Sequence, residues 1–236
     1  MIETLAGPVL AVAPHPDDES LGCGGLLALL VDAGLTVDVV LVSDGAASHP
    51  GSRRWPPERL GALRFAEMRD ALGCLGVDAE RLIALGLPDG AVPADDDPGF
   101  AAAAAALARV LARSAPRTLV VPWRRDAHAD HRASHALVRE AMRRSPPPEP
   151  ARLLEYAVWD ERASPDERPR PGEAVEWRVD IGPVRARKAA AIAAHRSQRG
   201  LVVDDDPSGF VLPEAMCERA AGPAERYWEV REEATP

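Results

Sequence analysis

Two short clusters hold the residue types that metal-assisted hydrolysis needs: Ala13 to Glu19, reading APHPDDE, and Trp123 to His131, reading WRRDAHADH, with His135 one helical turn further on. Imidazole and carboxylate together suit zinc or another divalent metal, so His15 and Asp18 could reach such an ion while Asp17 stays free to act on water. His131 could complete a two-histidine, one-carboxylate set with a position left open, as a catalytic zinc requires. His128 would then face the substrate, and Asp130 is placed to orient an imidazole and raise its basicity. Each cluster also has a plain structural account. The first could be a polar turn capping a helix, although two prolines and so many potential ligands exceed what capping requires. In the second, His128 and Asp130 could cap a helix, and His135 is expected on its outer face.

The elements that must position these groups are legible around them. Val9 to Ala13 is a short apolar run that reads as a strand buried on both faces. A glycine-punctuated helical pattern follows from Ser20 to about Gly34, with Ser20 or a motif carboxylate as its cap. The motif therefore closes a central strand, where open α/β sheets bind ligands. Thr36 to Ser43 reads as a second strand and Glu58 to Leu75 as a helix whose apolar residues recur at about 100° per residue. Arg64 falls inside that stripe and Glu67 at its margin. Two accounts stand side by side: a surface i,i+3 salt bridge, or an Arg64 that reaches the mouth of the site. Arg81 to Leu85 is a third strand, ending in a turn that contains Asp89. A helix from Ala101 and a strand from Thr118 to Pro122 lead to the second cluster and a helix on to Arg144. Strand and helix alternate throughout, which predicts an α/β, Rossmann-like fold: a mainly parallel sheet with helices on both faces.

Beyond the proline-rich stretch 145–150 the pattern becomes mixed. Strand-like segments at Leu153 to Trp159 and Ala174 to Val179 predict a small antiparallel addition to the same sheet, so residues 1–236 are expected to form a single domain, an α/β core to about 145 and its extension from 151. Lys188 and His195 lie on a helix from Val184 to His195, where a solvated face is the commoner explanation for basic residues. Glu214 to Ala221 reads as a short helix and Arg226 to Val230 as a terminal strand. The roles of the 161–173 and 199–213 loops are not encoded in their composition.

A net charge of -9 leaves no basic footprint for nucleic acid. The 3 cysteines are far apart and lack CxxC spacing, which fits neither a disulfide framework nor a thiolate zinc site and suits a reducing cytoplasm. No apolar stretch approaches the roughly 18 residues of a membrane span, and the start of the chain lacks the pattern of a signal peptide.

AxHPDDE, HxDH and KxxAIxAHxSQ occur in this order, with RxxE at Arg64 and Glu67 and LPDG at Asp89. In these motifs the sequence resembles the PIG-L, or LmbE-like, family of zinc-dependent N-acetylglucosaminyl deacetylases, from about Val9 to Gln198. The resemblance implies that His15, Asp18 and His131 bind zinc, that Asp17 is the general base, and that His128 stabilises the oxyanion and protonates the leaving amine. It also makes Arg64 and Asp89 contacts to substrate hydroxyls. The implied partner is a small N-acetylated sugar or sugar conjugate, with a homo-oligomer left open. Competing readings are a metal-dependent amidase for a non-sugar N-acyl metabolite and a non-catalytic Rossmann-like binding protein. The last is disfavoured, because acids and Pro16 stand where a GxGxxG turn would place glycines.

Overall fold

A computed structural model describes residues 2–148, 151–159 and 168–230, together with 164 and 166. Part of the proline-rich stretch and of the loop that follows Trp159 lie outside the described residues. The sheet contains β1 (Val9–Ala13), β2 (Val37–Ser43), β3 (Leu82–Leu87), β4 (Thr118–Pro122), β5 (Arg152–Tyr156), β6 (Ala174–Asp180) and β7 (Ala224–Val230) in the order β3-β2-β1-β4-β5-β7-β6. The first five run parallel, and β7 pairs antiparallel with β5 and β6. The extension read from the sequence joins the same sheet, but its first strand, β5, continues the parallel order beside β4, and only the pairings of β7 with β5 and β6 are antiparallel.

The apolar run of β1 follows from burial on both faces. Val9, Ala11 and Ala13 enter a core with α1 (Gly24–Asp32), α2 (Pro57–Leu75) and α5 (Arg185–Ala194). Leu10 and Val12 enter the opposite core with α3 (Phe100–Ser114) and α4 (Ala129–Arg144). A smaller third cluster joins Leu21, Ile192 and Leu212 to Met216 and Cys217 of α6 (Glu214–Ala220).

The order reverses between β1 and β4, whose chains leave toward opposite sides and open a crevice at their carboxyl ends. That crevice is the switch point at which open α/β sheets take their ligands. Both histidine and acid clusters sit there. The helix after the first cluster begins later than its pattern predicts: Glu19–Cys23 forms a π-helical turn, and α1 starts at Gly24. Neither Ser20 nor a motif carboxylate caps it through its side chain. Their oxygens are committed elsewhere, Asp18 to the His15 amide and Ser20 to Glu19. No helix among the described residues is long and apolar enough to cross a membrane.

Candidate active site

Asp18 is the hinge of the cluster. Its Oδ2 accepts from the His15 amide at 2.8 Å and lies 3.2 Å from His15 Nδ1 and 3.2 Å from His131 Nε2. Asp18 is buried, and both imidazoles are buried with it. The nitrogens that face away from Asp18 meet carboxylates: His15 Nε2 lies 3.1 Å from Asp130 Oδ2 and 3.2 Å from Asp89 Oδ1, and His131 Nδ1 lies 3.4 Å from Asp126 Oδ2. Each imidazole is therefore held from behind by an acid, the arrangement that fixes the orientation and raises the basicity of a metal-binding histidine.

Asp17 stands beside this set in a strained backbone conformation, with φ of 132°. Such strain persists only where the surroundings hold it, and it concentrates at functional sites. The Asp17 amide donates to Glu19 Oε2 at 3.1 Å, and its carboxylate lies 3.2 Å from Arg64 NH2. Burial pushes the Asp17 carboxyl up to about 7, against the pull of the Arg64 guanidinium. Burial would also lower both histidines, yet their acid neighbours prevail: His15 is raised by Asp130, Asp18 and Asp89, and His131 is pushed up to about 9 by Asp18 and Asp126. Despite its own burial, Asp18 is held well below the usual carboxylate range by His131 and His15. The cluster is thus built to hold positive charge.

His128 is the N-cap of α4, its Nδ1 accepting from the Asp130 amide at 3.2 Å. The capping account of this residue is therefore correct, and it has a chemical consequence: an accepting Nδ1 leaves Nε2 to carry the proton. Burial, with His131 and His15 nearby, lowers the His128 pKa. Asp130 does orient an imidazole, but that of His15, while the amides of Gly90 and Val92 donate to its oxygens at 2.8 and 3.3 Å.

A cavity of about 430 Å³ opens over the cluster, lined at its polar end by His15, Asp17, Asp18, Arg64, Asp89 and His128. The structure thus brings every residue singled out for chemistry or substrate contact either to the cavity wall or, for Asp130 and His131, directly behind it. Arg64 reaches the site and makes no i,i+3 pair with Glu67: it donates to the carbonyls of Gly45 at 2.6 Å and Pro16 at 2.7 Å, whereas Glu67 accepts from the amide and hydroxyl of Ser197. Asp89 is more than a turn residue, since it touches His15 and accepts from the Ala47 amide at 2.9 Å.

Three basic residues depart from their expected surface positions. His135 is buried, 3.4 Å from Glu155 Oε1, because β5 joins the sheet and brings that carboxylate beneath α4. Lys188 is buried against Glu225 at 2.6 Å, and His195 lies 2.9 Å from Glu19 Oε1. Their helix packs on α1 and α2 instead of facing solvent, since the extension folds back over the first core. Glu19 and Asp126 were not singled out from the sequence; their signal was only an acid within, or just before, a histidine motif.

A zinc fits this donor set. A tetrahedral zinc with bonds of about 2.0 to 2.2 Å sets neighbouring ligand atoms about 3.3 to 3.6 Å apart, and Asp18 Oδ2 stands 3.2 Å from a nitrogen of each histidine. Both His131 nitrogens are buried without a hydrogen bond, with carboxylate oxygens 3.2 Å from Nε2 and 3.4 Å from Nδ1, which leaves Nε2 open to a metal shared with Asp18. Among the described residues, the groups whose ligand atoms all lie within 4.8 Å of one another are a different pair, His15, His128 and His131, and His15, Asp89 and Asp130. In the second group Asp89 and Asp130 already accept backbone amides, which makes them supports for His15.

A doubly wound α/β sheet with a histidine and carboxylate cluster at its switch point defines the class of this protein. Residues 10–142 match the PIG-L family, described as GlcNAc-PI de-N-acetylase, and the chain belongs to that family. It is 31% identical over 165 residues to the 1D-myo-inositol 2-acetamido-2-deoxy-alpha-D-glucopyranoside deacetylase of a Mycobacterium species, a match covering 61% of this chain and 53% of the relative. It thus spans about half the length of the mycobacterial relatives that it matches. A probable N-acetyl-alpha-D-glucosaminyl L-malate deacetylase 2 of Bacillus cereus is 28% identical over 203 residues, covering 84% of this chain and 86% of its own. A solved structure of a conserved protein from Thermus thermophilus aligns with a TM-score of 0.67 at 27% identity, over 94% of this chain and 93% of the other.

Proposed function

We propose that this chain is a zinc-dependent deacetylase that removes the acetyl group from an N-acetylated amino-sugar or sugar conjugate, giving acetate and a free amine. The observation that carries this reading is the junction of His15, Asp18 and His131 through one carboxylate oxygen, with Asp17 and His128 beside it in one cavity. The family and the names of the relatives point the same way.

His15, Asp18 and His131 would hold the metal, which when bound supplies Lewis-acid polarisation of the acetamide carbonyl and an acidified water. Asp17 is the general base. Its carboxyl, pushed up by burial, matches proton transfer near neutral pH. His128, neutral and protonated on Nε2, donates a hydrogen bond to the developing oxyanion. The resemblance also gives His128 the proton for the leaving amine; with Nδ1 accepting the Asp130 amide, the single N–H of a neutral His128 is the one aimed at the oxyanion, so that proton is routed through Asp17. Asp17, having taken the proton of water, returns it to the amine nitrogen. Arg64 spends its two terminal nitrogens on carbonyl groups and Asp17, and so orients the base from the cavity wall. Asp89 supports His15 and lies at the edge that a sugar hydroxyl would meet.

Purified protein should carry about one zinc per chain and release acetate from N-acetylglucosaminides, lose activity on chelation and regain it with zinc. Metal-loaded protein that releases no acetate from any N-acetyl sugar would overturn the reading.

A further inference from the structure

The cavity has a second wall whose chemistry the deacetylation step does not use. Leu21, Val158, Trp159, Phe210 and Leu212 line the cavity together with the charged cluster. They belong to the small third core, from which half-buried Val158, Trp159 and Phe210 emerge into the cavity. Trp159 and Phe210 meet edge to face with ring centroids 5.8 Å apart. Aromatic residues make up only 4% of the chain, so two of them paired at one cavity mouth is a concentrated investment in apolar contact area.

The wall is held in place. The Phe210 amide donates to the Ser48 carbonyl at 2.7 Å and the Leu212 amide to the Gln198 carbonyl at 2.7 Å. Asp205 and Asp206 pin the same loop to the one after β2, accepting from Ser52 Oγ at 2.6 Å and the Gly51 amide at 2.8 Å. A preorganised apolar surface binds without the cost of ordering a loop.

Charge selects the occupant. Among the described residues, Arg64 is the only lysine or arginine lining the cavity, and its terminal nitrogens are already engaged. An anionic substituent on the sugar would find no free cation among the described lining residues, whereas an uncharged apolar one would add contact with the apolar side chains of that wall.

We propose that the substrate is an N-acetylated amino-sugar carrying an uncharged, apolar aglycone, which lies against Trp159 and Phe210 while the acetamido group meets the histidine and carboxylate cluster. This rests on the deacetylase reading. Each fully buried methylene is worth about fourfold in affinity. The test compares methyl, hexyl and carboxypentyl N-acetylglucosaminides on zinc-loaded wild type, Trp159→Ala and Phe210→Ala. The hexyl glycoside should exceed the methyl one in kcat/KM by at least about tenfold, and the carboxypentyl glycoside should not. Both variants should lose most of that advantage and leave the methyl glycoside nearly unchanged. Equal rates on methyl and hexyl glycosides in the wild type would overturn the proposal. So would equal losses on both in the variants, which would mean that the rings stack on the sugar or merely support the loop. If no glycoside is hydrolysed, the deacetylase reading fails, and calorimetry with methyl and hexyl glucosaminides then decides the wall alone. A preference for hexyl that both variants abolish would support it, and no preference would overturn it.

Discussion

Asp17 shows how far function has been set against stability at a single residue. Its carboxyl keeps its proton in the folded chain up to about 7, whereas an unfolded aspartate loses it near about 4. Between those values the native state binds more protons than the unfolded one, so stability falls as pH rises. Asp17→Asn removes the penalty. Metal-free variant should therefore melt above metal-free wild type at about pH 8, and the gap should close at about pH 3, where both states of the aspartate are protonated. The same variant, with zinc loading confirmed, should lose at least about a hundredfold in kcat, since an amide cannot accept the proton of water. A retained rate would remove Asp17 as the base. Behind the ligands, Asp126→Asn should weaken zinc affinity by about 10- to 100-fold, because His131 would lose the carboxylate behind its Nδ1. Competition with a chelator measures this, and unchanged affinity would separate His131 from the metal.

At the level of elements, the sequence was most legible where one pattern decided one structure. The buried runs of β1, β2 and β4 and the stripe of α2 follow from local periodicity, whereas the direction of β5, parallel to β4, does not. The start of α1 did not, because the Glu19 and Ser20 side chains answer to His195, a contact across the fold. Lys188, His195 and His135 were misplaced for a related reason: a helix pattern tells which residues share a face, but the partner that covers the face is chosen by tertiary structure. The site was legible because its chemistry is concentrated at two strand ends, while Glu19 and Asp126 carried no signal beyond their charge. Close packing explains the glycines of the first helix. A Cβ at Gly25 would meet Ile181 side-chain atoms at 2.6 Å, and one at Gly22 would meet the Tyr156 ring at 2.2 Å. Gly25→Ala should cost about 1 to 3 kcal/mol by overpacking, read as a shift of the urea midpoint. Neutral behaviour would mean that β6 and the turn after it yield freely.

The whole molecule makes the motif half and the extension depend on each other. The family match ends at residue 142, yet the first cluster is secured by residues well past that point. Tyr156 donates to the Val12 carbonyl at 2.8 Å, His195 holds Glu19, and Glu225 accepts the amides of Gly25 and Leu26 at 2.7 Å each. Glu225 is itself buried and paired with Lys188. A buried carboxylate whose cation is removed costs about 3 to 5 kcal/mol, so Lys188→Ala should destabilise the entire chain and not only its C-terminal part. Adding Glu225→Gln should recover part of that loss by removing the stranded charge, although the two amides still need an acceptor. If the extension and the core form one cooperative unit, both variants will unfold in a single transition, shifted alike whether followed by fluorescence or by far-ultraviolet circular dichroism. A fragment ending at 148 should then show no cooperative transition, because β4 would lose β5, one of its two neighbours, and β1 the cover over its carboxyl end. A fragment that melts cooperatively and binds zinc would instead make the first half a domain in its own right, with the extension serving only the substrate.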